Sequence, residues 1–119
     1  MADEIQMTAR LYASKNGAYL PSVTYTKSST MVGTDMGSQT QVIGLTVEAL
    51  DVPVDVTSPY KLLISNLDTT NYVELGFVSG TYTMRIPFGE TLLLPYVNAT
   101  LYLLANTSSV TVQATFCEI

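Results

Sequence analysis

The chain has 119 residues, of which 47% are hydrophobic and 13% are charged, and its formal net charge at pH 7 is −5. This length fits one domain with one modest core, so we predict a single β domain over residues 1–119 with a short N-terminal arm at about residues 1–6. The negative charge and the scattered distribution of the five cations exclude the basic patch that nucleic-acid binding requires.

The acidic start of the chain and its short apolar runs predict where the protein is made. The acidic start lacks both the basic and the apolar region of a secretory signal, and Leu101–Ala105 is far short of the ~20 residues of a membrane helix. We therefore expect synthesis in a cytoplasm, with neither a membrane nor a nucleic acid as a partner.

Apolar and polar residues alternate with a period of two along most of the chain, which is typical of half-buried antiparallel strands. The alternation places Ile5 and Leu11 on one apolar face near the start. It places Ile43, Leu45 and Val47 on one face of a middle strand. The residues at 110, 112, 114 and 116 share a face near the end. The candidate strands are 4–13, 18–27, 39–48, 60–66, 71–78, 81–87, 91–94, 99–105 and 109–117.

The segment from Asn71 to Pro87 is predicted to form a β-hairpin. A two-residue turn at Ser79-Gly80, with a positive φ at the glycine, sets Leu75 opposite Met84 and Val73 opposite Ile86. The same register sets Phe77 opposite Tyr82 on the apolar side and the oppositely charged Glu74 and Arg85 together on the other side.

The spacing of the turns favours one fold class. Turn residues recur every 8–12 positions, as in sandwiches and barrels, and 28–38 is predicted to be a mobile loop or a strand crossing. We therefore predict an all-β protein, an antiparallel two-sheet β-sandwich of jelly-roll type with eight or nine short strands.

The composition argues against an enzyme, because the chain contains no histidine. Histidine is the commonest acid/base group and the commonest metal ligand, so we predict no catalytic, cofactor-binding or metal-binding residue and no cofactor. Cys117 is interpreted as a structural strand residue.

Two other chemistries remain as alternatives. Paired carboxylates could hydrolyse a glycoside, and the candidate pairs are Asp51 with Asp55 and Glu74 with Glu90. Asp51 and Asp55, however, flank a proline in a loop, and Glu74 already has a partner in Arg85. Calcium could bind around 51–55 or 68–71, although neither loop has the dense carboxylate pattern of a calcium loop.

Tyrosine is over-represented in the chain, which contains eight tyrosine residues. Exposed tyrosines anchor protein interfaces and can also stack on sugar rings. Because the alternation turns Tyr12 and Tyr72 away from the apolar faces of their strands, we predict these two as interface residues.

The second half of the chain resembles a known class of proteins. Its block Tyr60–Gly76 contains Asn-Leu-Asp and Asn-Tyr-Val, and a Phe-Gly-Glu turn with a leucine run follows at 88–94. A closing block combines Leu101-Tyr102 with Ala105-Asn106-Thr107 and Val110. This pattern resembles small β-sandwich virion proteins of tailed bacteriophages.

The resemblance implies a virion structural protein. Among virion structural proteins, we expect a capsid decoration (cement) protein, which binds the outer head surface and stabilises the shell. The implied partners are the major capsid protein and copies of the chain itself, in a trimer, and the implied location is the virion. The alternatives are a tail, neck or baseplate component, or a carbohydrate- or receptor-binding module.

The N-terminal arm is a further predicted contact. Strand edges join readily to extended segments, so the arm is predicted to pair with a neighbour's sheet. The predicted contact residues are Ala2, Asp3, Glu4, Ile5 and Gln6.

Overall fold

The computed structural model of the chain describes residues 4–21 and 23–119. These residues form strands, turns and irregular segments. They include no helix with the length and apolar character needed to cross a membrane. Tertiary contacts divide the chain into two compact units, Met1–Val32 and Gly33–Ile119. The single domain over residues 1–119 stays a prediction.

The N-terminal unit is built from two small antiparallel ribbons. Its strands are β1 (Ile5–Leu11), β2 (Ser14–Lys15), β3 (Ala18–Tyr19) and β4 (Val23–Ser29). β1 pairs with β4, and β2 pairs with β3.

The turn between β2 and β3 has the geometry of a tight hairpin. Asn16 has a φ of 51° and Gly17 a φ of 82°, which is the pair of positive values that a type I′ turn needs.

The apolar face predicted for the first strand is only partly buried. Ile5 is buried, but Leu11 is 76% exposed, so the expectation of one continuous buried face is wrong. A two-stranded ribbon buries little surface by itself, which accounts for the exposure.

The C-terminal unit contains two four-stranded antiparallel sheets. The front sheet has the order β10-β7-β12-β5 and the back sheet the order β6-β11-β8-β9. The strands are β5 (Met36–Ile43), β6 (Glu48–Ala49), β7 (Tyr60–Asn66), β8 (Val73–Gly76), β9 (Met84–Ile86), β10 (Thr91–Val97), β11 (Tyr102–Ala105) and β12 (Val110–Glu118).

The pairing of these eight strands is nested. β5 pairs with β12, β6 with β11, β7 with β10, and β8 with β9. The unit is therefore one long antiparallel hairpin wrapped into two packed sheets, which is a jelly roll. The predicted fold class is confirmed. The described residues form twelve strands, eight in the jelly roll and four in the N-terminal unit, where the predicted strands 4–13 and 18–27 lie.

The core lies between the two sheets. Every second residue of β7 and β12 is buried there, as the alternation predicted for β12. Phe116 is fully buried and meets the ring of Tyr60 edge-on, with 5.2 Å between ring centroids. Leu75 and Leu103 from the back sheet are likewise fully buried, and burying one such side chain contributes about 1.5–3 kcal/mol.

The predicted hairpin has the predicted register. Val73 pairs with Ile86 and Leu75 with Met84, and a bridge between 78 and 81 closes the Ser79-Gly80 turn, in which Gly80 has a φ of 86°.

The prediction for Phe77 is wrong, because this side chain is 42% exposed and does not pair with Tyr82 on the core side. The β8–β9 ladder ends at Leu75 and Met84, and at the next residue, Gly76, a Cβ atom would collide with the Thr81 carbonyl oxygen.

The predicted strand 39–48 is also wrong in its second half. β5 starts earlier, at Met36, and ends at Ile43, after which the chain leaves the front sheet and crosses to β6 in the back sheet. The Gly44 carbonyl accepts a hydrogen bond from the Ala105 amide there. Leu45 and Val47 consequently lie in the crossing, 58% and 36% exposed.

Candidate interaction surface

The outward side of the front sheet is an open surface of uncharged polar residues, and we call it the front face. Its members follow from the alternation of buried and more exposed positions along β5, β7 and β12, and on β10 from the pairing of Thr91 with Ser65 and of Leu93 with Leu63. Tyr96 of β10, which is 60% exposed, lies beyond the irregularity of that strand and is not counted. Lys61 alone carries a charge in this set. The front face consists of Met36, Ser38, Thr40, Val42, Lys61, Leu63, Ser65, Thr91, Leu93, Thr111, Gln113, Thr115 and Cys117.

Hydroxyl groups on neighbouring strands of the front face bind one another. The side-chain oxygens of Ser38 and Thr115 lie 3.0 Å apart, and those of Ser65 and Thr91 lie 2.9 Å apart. The Gln113 amide nitrogen donates to the Ser38 hydroxyl over 3.4 Å. These pairs join β5 to β12 and β7 to β10, so the polar groups of the face are held in fixed positions.

The charge of Lys61 is partly satisfied within the chain. Its ammonium group donates to the Pro95 carbonyl over 3.1 Å. Cys117 lies opposite Lys61 in the ladder; burial raises the pKa of its thiol, Lys61 lowers it and Glu118 raises it further. A raised pKa disfavours the nucleophilic thiolate, in keeping with the structural interpretation of Cys117.

Apolar side chains interrupt the hydroxyl surface at three exposed points. Met36 is 65%, Val42 61% and Leu63 41% exposed. Hydroxyls and apolar groups cost far less to remove from water than ions do. The front face can therefore be covered by another protein at little desolvation cost.

The residues predicted for the N-terminal arm fall partly within β1. Ala2 and Asp3 lie outside the described residues. The Glu4 carboxylate accepts a hydrogen bond from the Met31 amide over 3.1 Å, Ile5 is buried, and exposed Gln6 pairs with Ser28 of β4. Their contact with a partner stays a prediction.

The two predicted tyrosines lie in different units and have different surroundings. Tyr12 is 53% exposed just after β1, with the Arg10 guanidinium 6.0 Å from its ring. Tyr72 is half-buried, and the Arg85 guanidinium lies 3.8 Å from its ring while also pairing with the Glu74 carboxylate at 3.6 Å. This confirms the predicted Glu74–Arg85 pair.

The buried carboxylate of Glu118 accepts hydrogen bonds from two loops. It accepts hydrogen bonds from the amides of Thr34 and Asp35, each over 3.1 Å, and from the amide and hydroxyl of Thr57 over 2.7 and 2.8 Å. The bonds from Thr57 and the Asp35 amide lower its pKa to about 2. An ionised carboxylate with this many donors is a structural anchor.

The Asn-Leu-Asp block forms a hydrogen-bonded corner. The buried Asn66 amide donates to the carbonyls of Asn71 and Ile86, and its oxygen accepts from the Asp68 amide. The Asp68 carboxylate accepts from the amides of Thr70 and Asn71, which lowers its pKa. The polar residues that carry the resemblance are thus bonded to their own backbone.

A cavity of about 240 Å³ opens at one end of the sandwich. Apolar side chains such as Leu50 and Val56 line it together with the hydroxyl-bearing Ser58, Tyr60 and Thr100. Burial raises the pKa of Tyr60, so its hydroxyl is neutral at ordinary pH.

The acidic residues considered for catalysis or metal binding do not form a cluster. Within residues 4–21 and 23–119, no group of three or more Asp, Glu, Cys or His side chains is placed to hold a metal ion. Asp51, Asp55 and Glu90 are exposed.

The front face is not among the predicted contacts, which are two tyrosines and the N-terminal arm. Its signal in the sequence is the uncharged Thr-Gln-Thr row at the outward positions 111, 113 and 115 of the last strand. The remaining members could be assembled only once the strand order was known. No family model, curated protein or solved structure matches the chain significantly.

Proposed function

We propose that this protein is a structural component of a bacteriophage virion, and that it binds the particle through its front face. The preferred version is a decoration protein on the outer surface of the head, which stabilises the shell by contacting the major capsid protein. The proposal includes no catalytic step and no cofactor.

The observation that carries the proposal is the chemistry of the front face. Four adjacent strands present serine, threonine and glutamine with exposed Met36, Val42 and Leu63, and the charge of Lys61 is the exception. Depletion of charge is a mark of the buried centre of protein interfaces. The bacteriophage part rests on the resemblance of the Tyr60–Gly76 block.

A jelly roll is also a common architecture of viral capsid proteins and of lectins. A sugar-binding module needs an exposed aromatic platform. Tyr96 of β10 is 60% exposed, but the members of the front face on the other strands are not aromatic, and a single ring is less than such a platform. The face is therefore better suited to a protein partner.

Binding to particles tests the proposal. Antibodies against the purified protein would label virions from the phage that encodes it, and the labelled position separates head from tail, neck or baseplate. The purified protein would also cosediment with particles that lack it. Virions that carry no copy of the protein would contradict the proposal.

A matched pair of variants tests the role of the front face. Gln113→Lys adds a charge at the exposed centre of the face, and burying a lysine against a partner costs enough to weaken particle binding at least ~10-fold. Val54→Lys adds the same charge at a loop position that is 95% exposed and leaves binding unchanged. Equal binding by both variants would exclude the front face as the contact.

A further inference from the structure

The four edges of the two sheets differ in their capacity to pair with another strand. β6 has two residues and β9 has three, and β10 contains Pro95 at an irregularity between Leu94 and Val97. Short strands, prolines and bulges are the devices that protect sheet edges. β5 has eight residues and neither a charge nor a proline, so it is the unprotected edge of the jelly roll.

The backbone of β5 presents its free groups at regular positions. The Asp35 carbonyl accepts a hydrogen bond from the Glu118 amide, so the odd-numbered residues of β5 turn their N–H and C=O groups toward β12. In an antiparallel ladder the groups of alternate residues point the opposite way. Those of Met36, Ser38, Thr40 and Val42 therefore point to the open edge.

The side chains of β5 complement a second copy of the same strand. If two copies pair antiparallel with Gln39 on the two-fold axis, Met36 lies opposite Val42 and Ser38 lies opposite Thr40. Apolar groups then meet apolar groups, hydroxyls meet hydroxyls, and no like charges face each other. A shift by two residues would place Ser38 opposite Val42 and lose this match.

We propose that two copies of this protein associate through antiparallel pairing of their β5 strands in this register. The contact joins two front sheets into one eight-stranded sheet and doubles the continuous front face. Because both partners use the same patch, the contact closes on itself as a dimer. Self-association is measured without any particle, so this proposal does not rest on the proposed function.

Two double variants test both the contact and its register by sedimentation equilibrium. In the double variant Ser38→Lys, Thr40→Lys, a lysine lies opposite a lysine at both places where residue 38 of one copy meets residue 40 of the other. We expect the affinity of the dimer to fall at least ~10-fold. Ser38→Glu with Thr40→Lys sets opposite charges at the same pairs and restores the dimer. In the register shifted by two residues, Lys at position 40 would instead lie opposite the same lysine of the second molecule. The dimer would then not be restored.

Three results would overturn the proposal. The first is a monomer at every concentration up to about 1 mM, which would correspond to a dissociation constant weaker than about 1 mM. The second is a trimer, which the resemblance implies and which a two-fold pairing cannot form. The third is equal weakening in both double variants. Circular dichroism of each variant provides the check that the fold is retained, since both positions are exposed.

Discussion

Replacing Asn66 by alanine tests whether the Asn-Leu-Asp block is structural. Asn66 is 1% exposed at the end of β7, and its amide bridges two carbonyls, those of Asn71 at 2.9 Å and Ile86 at 3.0 Å. Its oxygen accepts from the Asp68 amide at 2.8 Å. Asn66→Ala removes all three bonds and leaves their partners in place.

The size of the effect follows from what is left unpaired. A buried group without a partner costs about 1–3 kcal/mol. The bond to Ile86 is buried and the other two are partly buried, so water can replace some of the loss at Asn71 and Asp68. We expect Asn66→Ala to lower the free energy of unfolding by about 3 kcal/mol, a large share of the stability of a domain.

Urea unfolding followed by tyrosine fluorescence and far-ultraviolet circular dichroism measures this loss. Asn98→Ala is the matched control, because Asn98 is exposed and its replacement should change stability by less than about 0.5 kcal/mol. A loss below about 1 kcal/mol for Asn66→Ala would refute the structural interpretation.

Two further variants concern charged groups. Glu118 has its pKa lowered to about 2 from a usual value of 4.5, so its contribution to stability is complete above about pH 4.5 and is lost as the pH falls toward 2. Glu118→Gln should therefore be less stable than the wild type at pH 7 in thermal unfolding, with a difference that narrows below pH 4.5; a difference independent of pH would contradict this. Arg85→Ala removes the contacts with Tyr72 and Glu74 on a largely exposed side chain and should lower stability by about 1 kcal/mol in urea. The exposed Thr83→Ala serves as its control, and equal stability of the two variants would contradict the expected role of the guanidinium.

Local patterns were sufficient to predict much of the jelly roll. β7 coincides with the predicted strand 60–66, because a strand buried on one face has a strict period of two. The hairpin register followed from the glycine turn and the charge pair. The split of 39–48 between two sheets could not be predicted, since the residues after Ile43 keep the same alternation while the chain crosses.

Features that depend on contacts between distant parts of the chain were harder to predict from the sequence. No composition shift marks the division after Val32, and the strand 4–13 resembles a sandwich strand although β1 belongs to a two-stranded ribbon. The front face escaped prediction for the same reason: Ser38, Gln113 and Ser65 become neighbours only when β5, β12 and β7 are adjacent. The mutual hydrogen bonds of such residues carry no signal along the chain.

Imaging of the intact particle at a resolution that places the jelly roll is the most direct measurement. We expect density for this protein on the head, with Gln113, Thr115 and Leu63 of the front face against the shell. Density in which the front face is open to solvent, and the contact is made by the 73–86 hairpin or the back sheet, would contradict the central claim.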